Sequence, residues 1–177
     1  LYTGAKVVPA GVWVPVDQPP PDGARAVFDF ESGSLRGWDK QGSAWGQGPV
    51  RRPLPKQGQV SRYRGRAYLS SMHRGDANTG RLTSPSFALL GDGLSVRMSG
   101  GADPDALRVE VYLGRPPHEQ PAVETSAAPA DDPPPNTGAA QSAPVPIFRA
   151  SNDINSERMR EVRWDISAYR GQRAYLV

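Results

Sequence analysis

Short runs in which apolar and polar residues alternate constrain the fold of this chain more than any other feature. Leu94, Val96 and Met98 alternate with polar residues in one run, and residues 107–113 and 162–166 repeat the pattern. Side chains two residues apart lie on the same face of a strand, so each run predicts a strand with one buried and one solvated face. The sequence therefore predicts an all-β fold, an antiparallel β-sandwich.

The glycine and proline content indicates which segments lie outside the strands of this sandwich. The 177 residues hold 19 glycines and 19 prolines, and nine of the prolines fall within residues 115–146. We predict an extended N-terminal arm at residues 1–25 and a sandwich domain at residues 26–177, interrupted by a long Pro-rich insertion at residues 115–146. A structureless loop of this length is uncommon in a compact domain. We therefore expect a partner surface, or the domain's own body, to hold the insertion.

Local composition assigns further segments. We predict strands at residues 28–31, with Phe28 and Phe30 on one face, and at residues 67–71, 146–150 and 173–177. Trp38 and Trp164 lie on or beside apolar strand faces and are assigned to the core. Residues 152–161 are the best helical candidate, but a loop with a short turn is the preferred interpretation.

Charge and cysteine content exclude several classes of function. Of the 21 basic residues only Lys6, Lys40 and Lys56 are lysines, and the net charge is +3 with the arginines scattered. Nucleic-acid binding favours a clustered basic patch, so we expect no nucleic-acid partner. The absence of cysteine excludes disulfides and thiolate chemistry. No run approaches the about 20 apolar residues of a membrane span, so we expect membrane association only through partners or through an anchor upstream of Leu1.

The order of four motifs resembles a known family. The motifs are Phe28-Asp29-Phe30-Glu31 with Gly37-Trp38, then residues 79–87 leading to Gly100-Gly101, then residues 109–114, and last residues 164–174. Together they resemble the galactose-binding-like jelly-roll modules, carbohydrate-binding-module-like domains appended to levanase-type glycoside hydrolases and to other bacterial exported proteins. The resemblance covers roughly residues 26–114 and 147–177. The insertion departs from the family pattern, and since the family usually continues after Val177 with one more strand, we expect that strand to be missing from this chain.

Aromatic and arginine side chains in loops are the candidate binding residues. Trp45 lies in a glycine-rich loop, where a sugar platform would be placed, and Trp13 lies in the arm, where an anchor for a protein partner would be placed. Arg62, Tyr63 and Arg64 interleave charge with an aromatic ring. Arginine is favoured at interfaces because its planar fork makes paired hydrogen bonds; a loop with solvated arginines is the alternative.

A structural calcium ion is the one cofactor that the resemblance implies. Asp29, Glu31 and Asp165 are the candidate ligands. Calcium takes six to eight oxygens, and the acidic turn with which the family usually continues is absent from this chain. No nucleophile elbow, phosphate loop or metal-binding helix motif is present. We therefore predict no catalytic residues and no enzymatic activity.

These features predict an exported, non-catalytic protein of the periplasm or cell surface of a bacterium. The favoured hypothesis is a subunit that docks onto protein partners and stabilises a larger cell-envelope or membrane-associated assembly, because extended segments can cover large partner surfaces. The alternative, implied by the resemblance, is a carbohydrate-binding module that recognises a glycan. The third hypothesis is an accessory fragment of a glycoside hydrolase.

Overall fold

The computed structural model describes residues 9, 11–17, 19–121 and 144–177. Its strands are β1 (Val12–Val14), β2 (Asp39–Gly42), β3 (Gly80–Thr83), β4 (Phe87–Ala88), β5 (Gly93–Gly100), β6 (Arg108–Leu113), β7 (Phe148–Ser151), β8 (Ser156–Asp165) and β9 (Arg173–Leu176). The helical structure in these residues is limited to two single 3-10 turns, Pro117–Glu119 and Ser167–Tyr169. The all-β prediction is confirmed.

Two antiparallel sheets form the body of the domain. One has four strands in the order β4-β9-β6-β7, and the other has three in the order β1-β8-β5. The strands β2 and β3 pair in a separate antiparallel ribbon. Each of the two larger sheets turns one face toward the other, so the predicted β-sandwich is confirmed.

The core lies between these two sheets. Val111 and Ala174 of the four-stranded sheet are fully buried, and Val162 and Trp164 of the three-stranded sheet meet them in the same cluster. The Trp164 and Phe148 rings stack across the interface with centroids 5.9 Å apart. These are the inward positions of the alternating runs, since residues two apart share a strand face.

The other face of β8 is also covered. Met159, on this outer face, packs with Val60 and Tyr68 from the long connection between β2 and β3. The Met159 N–H donates to the Ser61 carbonyl at 2.9 Å, which ties the connection to the strand. Much of residues 43–79, rich in glycine, proline and arginine, therefore serves as a cover over the three-stranded sheet.

The predicted strand at residues 28–31 is wrong. Phe30 has φ 61°, in the left-handed region that interrupts a strand. The Asp29 carboxylate accepts the N–H of Glu31 at 3.1 Å, closing a local turn that competes with sheet pairing.

Two other local predictions also fail. Residues 67–71 contribute only an isolated bridge between Tyr68 and Val50. The preferred loop at residues 152–161 is present only at residues 152–155, because β8 starts at Ser156 and pairs with β5. Pairing with a long neighbouring strand supplies backbone hydrogen bonds, and tertiary context of this kind overrides weak local preference.

The arm and the insertion lie only partly within the described residues. Val12–Val14 pairs with β8 as an edge strand of the three-stranded sheet, and the Pro9 carbonyl accepts the Arg149 N–H at 3.3 Å. Residues 122–143 of the insertion lie outside the described residues. The division at residues 25 and 26 and the missing final strand stay predictions; β9 itself lies between β4 and β6.

The predicted wet face of β6 is covered at Glu110, which is 3% exposed. Its carboxylate accepts hydrogen bonds from Tyr112 at 2.8 Å, from Arg149 Nε at 2.8 Å and from Arg108 at 3.1 Å. Burial by itself would raise the pKa of Glu110, but the Tyr112 and Arg149 hydrogen bonds and the arginine charges hold it below its usual value. A buried carboxylate is tolerated here because every neighbour donates to its charged form.

This environment predicts that Glu110 stabilises the folded protein at neutral pH and that the stabilisation is lost in acid. Because the pKa of Glu110 is lower in the folded protein, its stabilisation is fully present above the unfolded pKa of about 4.5 and is lost as the pH falls through the folded pKa. We expect Glu110→Gln to be less stable than the wild type at neutral pH, with the two converging in acid. Urea unfolding across the acidic range measures this; parallel curves would contradict it.

Candidate ligand-binding groove

A groove of about 230 Å³ opens at the loop between residues 26 and 38. It is lined by Phe28, Phe30 and Trp38, by the polar residues Asp29, Ser32, Ser34 and Arg36, and by Pro85 at the corner between β3 and β4. Grooves that combine aromatic surface with a few convergent polar groups are the usual form of small-ligand sites.

Three rings form the apolar wall of the groove. The Trp38 ring lies 4.8 Å from Phe28 and 5.8 Å from Phe30, measured between centroids. Phe28 also meets Phe87 of β4 edge to face at 5.6 Å. Because Phe87 packs against the main core, this chain of ring contacts anchors the wall to the sandwich.

The polar side of the groove is built from local turns. The Ser32 hydroxyl accepts the Ser34 N–H at 3.2 Å, and the Ser34 hydroxyl accepts the Arg36 N–H at 3.1 Å. Each hydroxyl keeps a proton to donate. Arg36 is exposed, and its guanidinium makes no ion pair or hydrogen bond with the described part of the chain. Asp29 adds an exposed carboxylate.

The backbone at the groove is strained. Phe30 holds φ 61°, an uncommon conformation for a bulky side chain that costs of the order of 1 kcal/mol. Gly37, at φ 83°, lies against Pro85, and a β-carbon there would be 3.1 Å from the proline ring. Strained residues cluster at ligand sites, so the observed Phe30 conformation marks this loop as a functional candidate.

The first residues of the insertion are fixed beside the groove. The His118 ring lies 3.1 Å from the Gly37 carbonyl oxygen, and the Glu119 carboxylate accepts the Ser86 N–H at 2.8 Å. The Ser86 hydroxyl and N–H lower the pKa of Glu119. Arg173 donates to Ser86 from the other side. These bonds place the insertion's entry at the rim of the groove.

The predicted binding residues 62–64 lie over the outer face of the three-stranded sheet. Arg64 lies 4.0 Å from the Glu161 carboxylate and Arg62 lies 3.5 Å from that of Asp17. Tyr63 packs on Tyr68 with ring centroids 4.9 Å apart.

A partly buried ion pair between Arg97 and Glu161 holds residues 62–64 in place. The Glu161 side chain is 8% exposed and accepts from Arg97 Nε at 3.0 Å. Arg97 also donates to the carbonyls of Val16 at 2.9 Å and Arg62 at 3.0 Å. One guanidinium therefore holds the sheet, the arm and the loop at residues 62–64.

The two predicted tryptophans lie apart from that cluster. Trp13 packs partly against the main core, on the inner side of its sheet, with the Arg160 guanidinium 3.8 Å above the ring. Trp45 is partly buried beside Gly80, and its indole N–H has no partner among the described residues. Neither tryptophan joins Arg62, Tyr63 and Arg64 in one site.

The predicted calcium ligands are not gathered into one site. The Glu31 carboxylate accepts the Arg66 and Ala67 N–H groups, and the Arg66 N–H is the largest cause of its lowered pKa. Asp165 accepts the Ser167 N–H at 2.9 Å. In the part of the chain that the structure describes, no group of three or more His, Cys, Asp or Glu is placed to hold a metal ion. Calcium stays a prediction from the resemblance.

The sequence pattern did not predict that Phe28, Phe30 and Trp38 line a groove. Phe28 and Phe30 had the spacing of a strand face, and Trp38 was assigned to the core. The available signal was the cluster Ser32-Gly33-Ser34 directly after the aromatic residues, because serine and glycine close tight turns rather than extend strands.

Comparison with known proteins gives one partial similarity. The chain is 27% identical over 161 residues to "Putative glycosyl hydrolase ecdE" of Aspergillus rugulosus. The similarity covers 88% of this chain and 18% of the relative, so the chain spans about a fifth of that protein's length. No family model and no solved structure matches the chain. Among the described residues, no helix is both long and apolar enough to cross a lipid bilayer.

Proposed function

We propose that the chain is a non-catalytic, carbohydrate-binding β-sandwich module of a larger glycoside-hydrolase-type protein. The observation that carries the proposal is the groove, whose lining combines Phe28, Phe30 and Trp38 with Asp29 and Arg36. Aromatic faces pack on the apolar side of a sugar ring, while carboxylate and guanidinium groups hydrogen-bond its hydroxyls.

The similarity to part of a glycosyl hydrolase supports this proposal. A segment that matches 18% of a long protein has the size of one domain, and the all-β body suits an appended module. The family resemblance of the four sequence motifs points the same way. The activity and substrate of the whole relative are not assigned to this chain.

The lining of the groove supports a binding role over a catalytic one. Asp29 is the one carboxylate among the described residues that line it. Glycoside cleavage generally uses two carboxylates on either side of the scissile bond. The opposite charges of Asp29 and Arg36 also favour a neutral glycan as the ligand.

The docking hypothesis and the exported location stay predictions. Residues 122–143, on which docking largely rests, lie outside the described residues. Val12–Val14 of the arm is a strand of the sandwich itself. The carbohydrate proposal is therefore the one that the described contacts support best.

Replacing Phe30 tests the proposal with little risk to the fold. The left-handed backbone suits glycine, so Phe30→Gly relieves strain while it removes one ring of the wall. We expect at least about tenfold weaker binding to whichever neutral polysaccharide the wild type retains, about 1.4 kcal/mol. Affinity electrophoresis through gels containing levan, inulin, arabinan, xylan or starch measures the retardation.

A matched substitution separates the groove from the other aromatic candidates. Tyr63→Ala removes a ring from the outer cover, where Tyr63 packs on Tyr68, and should leave retardation unchanged. If Tyr63→Ala abolishes retardation and Phe30→Gly does not, the ligand binds at residues 62–64 instead. A wild-type chain that none of the neutral polysaccharides retards would contradict carbohydrate binding in the groove.

A further inference from the structure

The outer face of the four-stranded sheet concentrates arginine. In the pairing of β6 with β7 and β9, Glu110 lies opposite Arg149 and Tyr112 lies opposite Tyr175. Val111, between them, is in the core, so these pairs point outward. We call this surface the arginine face; it comprises Arg81, Arg108, Arg149, Arg173, Glu110, Tyr112 and Tyr175.

Two tyrosine rings form the floor of the arginine face. Tyr112 and Tyr175 stack with centroids 5.2 Å apart and an interplanar angle of 13°. The Tyr112 hydroxyl donates to Glu110, and Tyr175 beneath it is 4% exposed. Burial, with help from Glu110, raises the pKa of Tyr112 to about 12, so the ring stays neutral.

Positive charge exceeds negative charge around this floor. Glu110 already pairs with Arg149 at 2.6 Å and with Arg108 at 3.1 Å, and these two arginine side chains remain 46% and 32% exposed. Arg173 is exposed and donates only to Ser86 among its described neighbours. Four exposed arginines therefore surround one buried carboxylate, Glu110, and one carboxylate at the edge beside Arg173, Glu119.

Among these arginines, Arg81 has the fewest interactions with the rest of the described chain. Its guanidinium forms no ion pair or hydrogen bond within the described ranges. The chain continues from β3 to Ser84, whose hydroxyl accepts the Leu176 N–H at 2.9 Å, next to Tyr175. Its charge also acts to lower the pKa of both Tyr112 and Tyr175, as expected for a neighbouring cation.

We propose that the arginine face is a second binding site, separate from the groove, for an anionic polysaccharide that carries carboxylate or sulfate groups. Guanidinium forks pair with such groups through two parallel hydrogen bonds. Tyr112, which is partly exposed and stacks on the buried Tyr175, offers an aromatic surface for a sugar ring between the charges. Several arginines on one rigid sheet would engage successive charged sugars along the same chain.

The experiment compares three polymers with the whole chain. Binding to polygalacturonate, dextran sulfate and neutral dextran is measured by affinity electrophoresis at low and high salt. We expect binding to at least one of the anionic polymers, none to dextran, and weaker binding as salt screens the charges. The stronger anionic polymer distinguishes carboxylate from sulfate recognition.

Two charge reversals locate the site. Arg81→Glu should weaken anionic binding at least about tenfold, because it removes a cation and adds repulsion. Arg51→Glu makes the same net charge change on the exposed connection beside the other sheet and should change binding less than about twofold. Thermal unfolding of both variants should match the wild type, since neither side chain has a described bonding partner.

Each other outcome overturns the proposal. Equal losses in both variants would assign the binding to net charge alone, and no binding to either anionic polymer would remove the site. Tighter binding to single-stranded poly(dT) than to both polysaccharides would assign the face to nucleic acid. Phe30→Gly should keep anionic binding while losing the neutral glycan, which separates this test from that of the groove.

Discussion

Arg97→Ala should lower the free energy of unfolding by about 3 kcal/mol or more, the usual cost of breaking a buried ion pair. The Arg97 and Glu161 side chains are 17% and 8% exposed and meet at 3.0 Å. Alanine leaves the Glu161 carboxylate buried with only the longer contacts to Arg163 and Arg64. Urea unfolding monitored by circular dichroism measures the change.

A double substitution is the matched control for that prediction. Arg97→Met with Glu161→Leu replaces both charges by apolar side chains of similar length and should recover most of the lost stability. The loop and arm that Arg97 holds should also loosen in Arg97→Ala, seen as faster hydrogen exchange near residues 62 and 16. A loss below about 1 kcal/mol, or a double variant no more stable than the single one, would contradict a buried-pair role.

Gly11→Ala should destabilise the protein by about 2 kcal/mol, within the range for overpacking a close contact. A β-carbon at this position would lie 2.3 Å from Val162 Cγ2, 2.8 Å from Trp164 Nε1 and 3.1 Å from the Arg163 carbonyl oxygen. The arm therefore needs glycine to pass over the core at the start of β1. Thermal unfolding measures the loss, and increased Trp164 exposure reports detachment of the arm.

Gly91→Ala is the matched control for the same change. The nearest atoms to a β-carbon at Gly91 are 4.0 Å away, and its backbone lies outside the left-handed region. Its alanine variant should be as stable as the wild type or slightly more stable, because alanine restricts the unfolded chain. Similar stabilities for Gly11→Ala and Gly91→Ala would show that the arm does not pack as the structure describes.

The regular parts of the fold were predictable because their burial repeats every two residues. Runs such as 94–99, 107–113 and 162–166 became β5, β6 and β8 with the expected inner faces. The strand predicted at residues 28–31 does not form, because one left-handed residue, Phe30, interrupts the extended backbone. The start of β8 was missed since its polar residues form a strand through pairing with β5.

The candidate sites were much harder to predict. The groove joins a loop before β2 to Pro85, and the arginine face joins residues from β3, β6, β7 and β9. Arg62, Tyr63 and Arg64 were noticed because they are adjacent in sequence, yet two of them are engaged by Asp17 and Glu161. Adjacency along the chain does not show which charges are already neutralised.

Alternation of apolar and polar residues was enough to predict a two-layer antiparallel body, because it dictates which side of each strand avoids water. The packing of strands and loops determines which polar groups are enclosed and which remain exposed. Glu110 and Glu161 are buried because sheet pairing and a covering loop bring arginines to them, while Arg36 and Arg81 stay without partners among the described residues. Those choices depend on residues distant in sequence meeting in space, which no local pattern encodes.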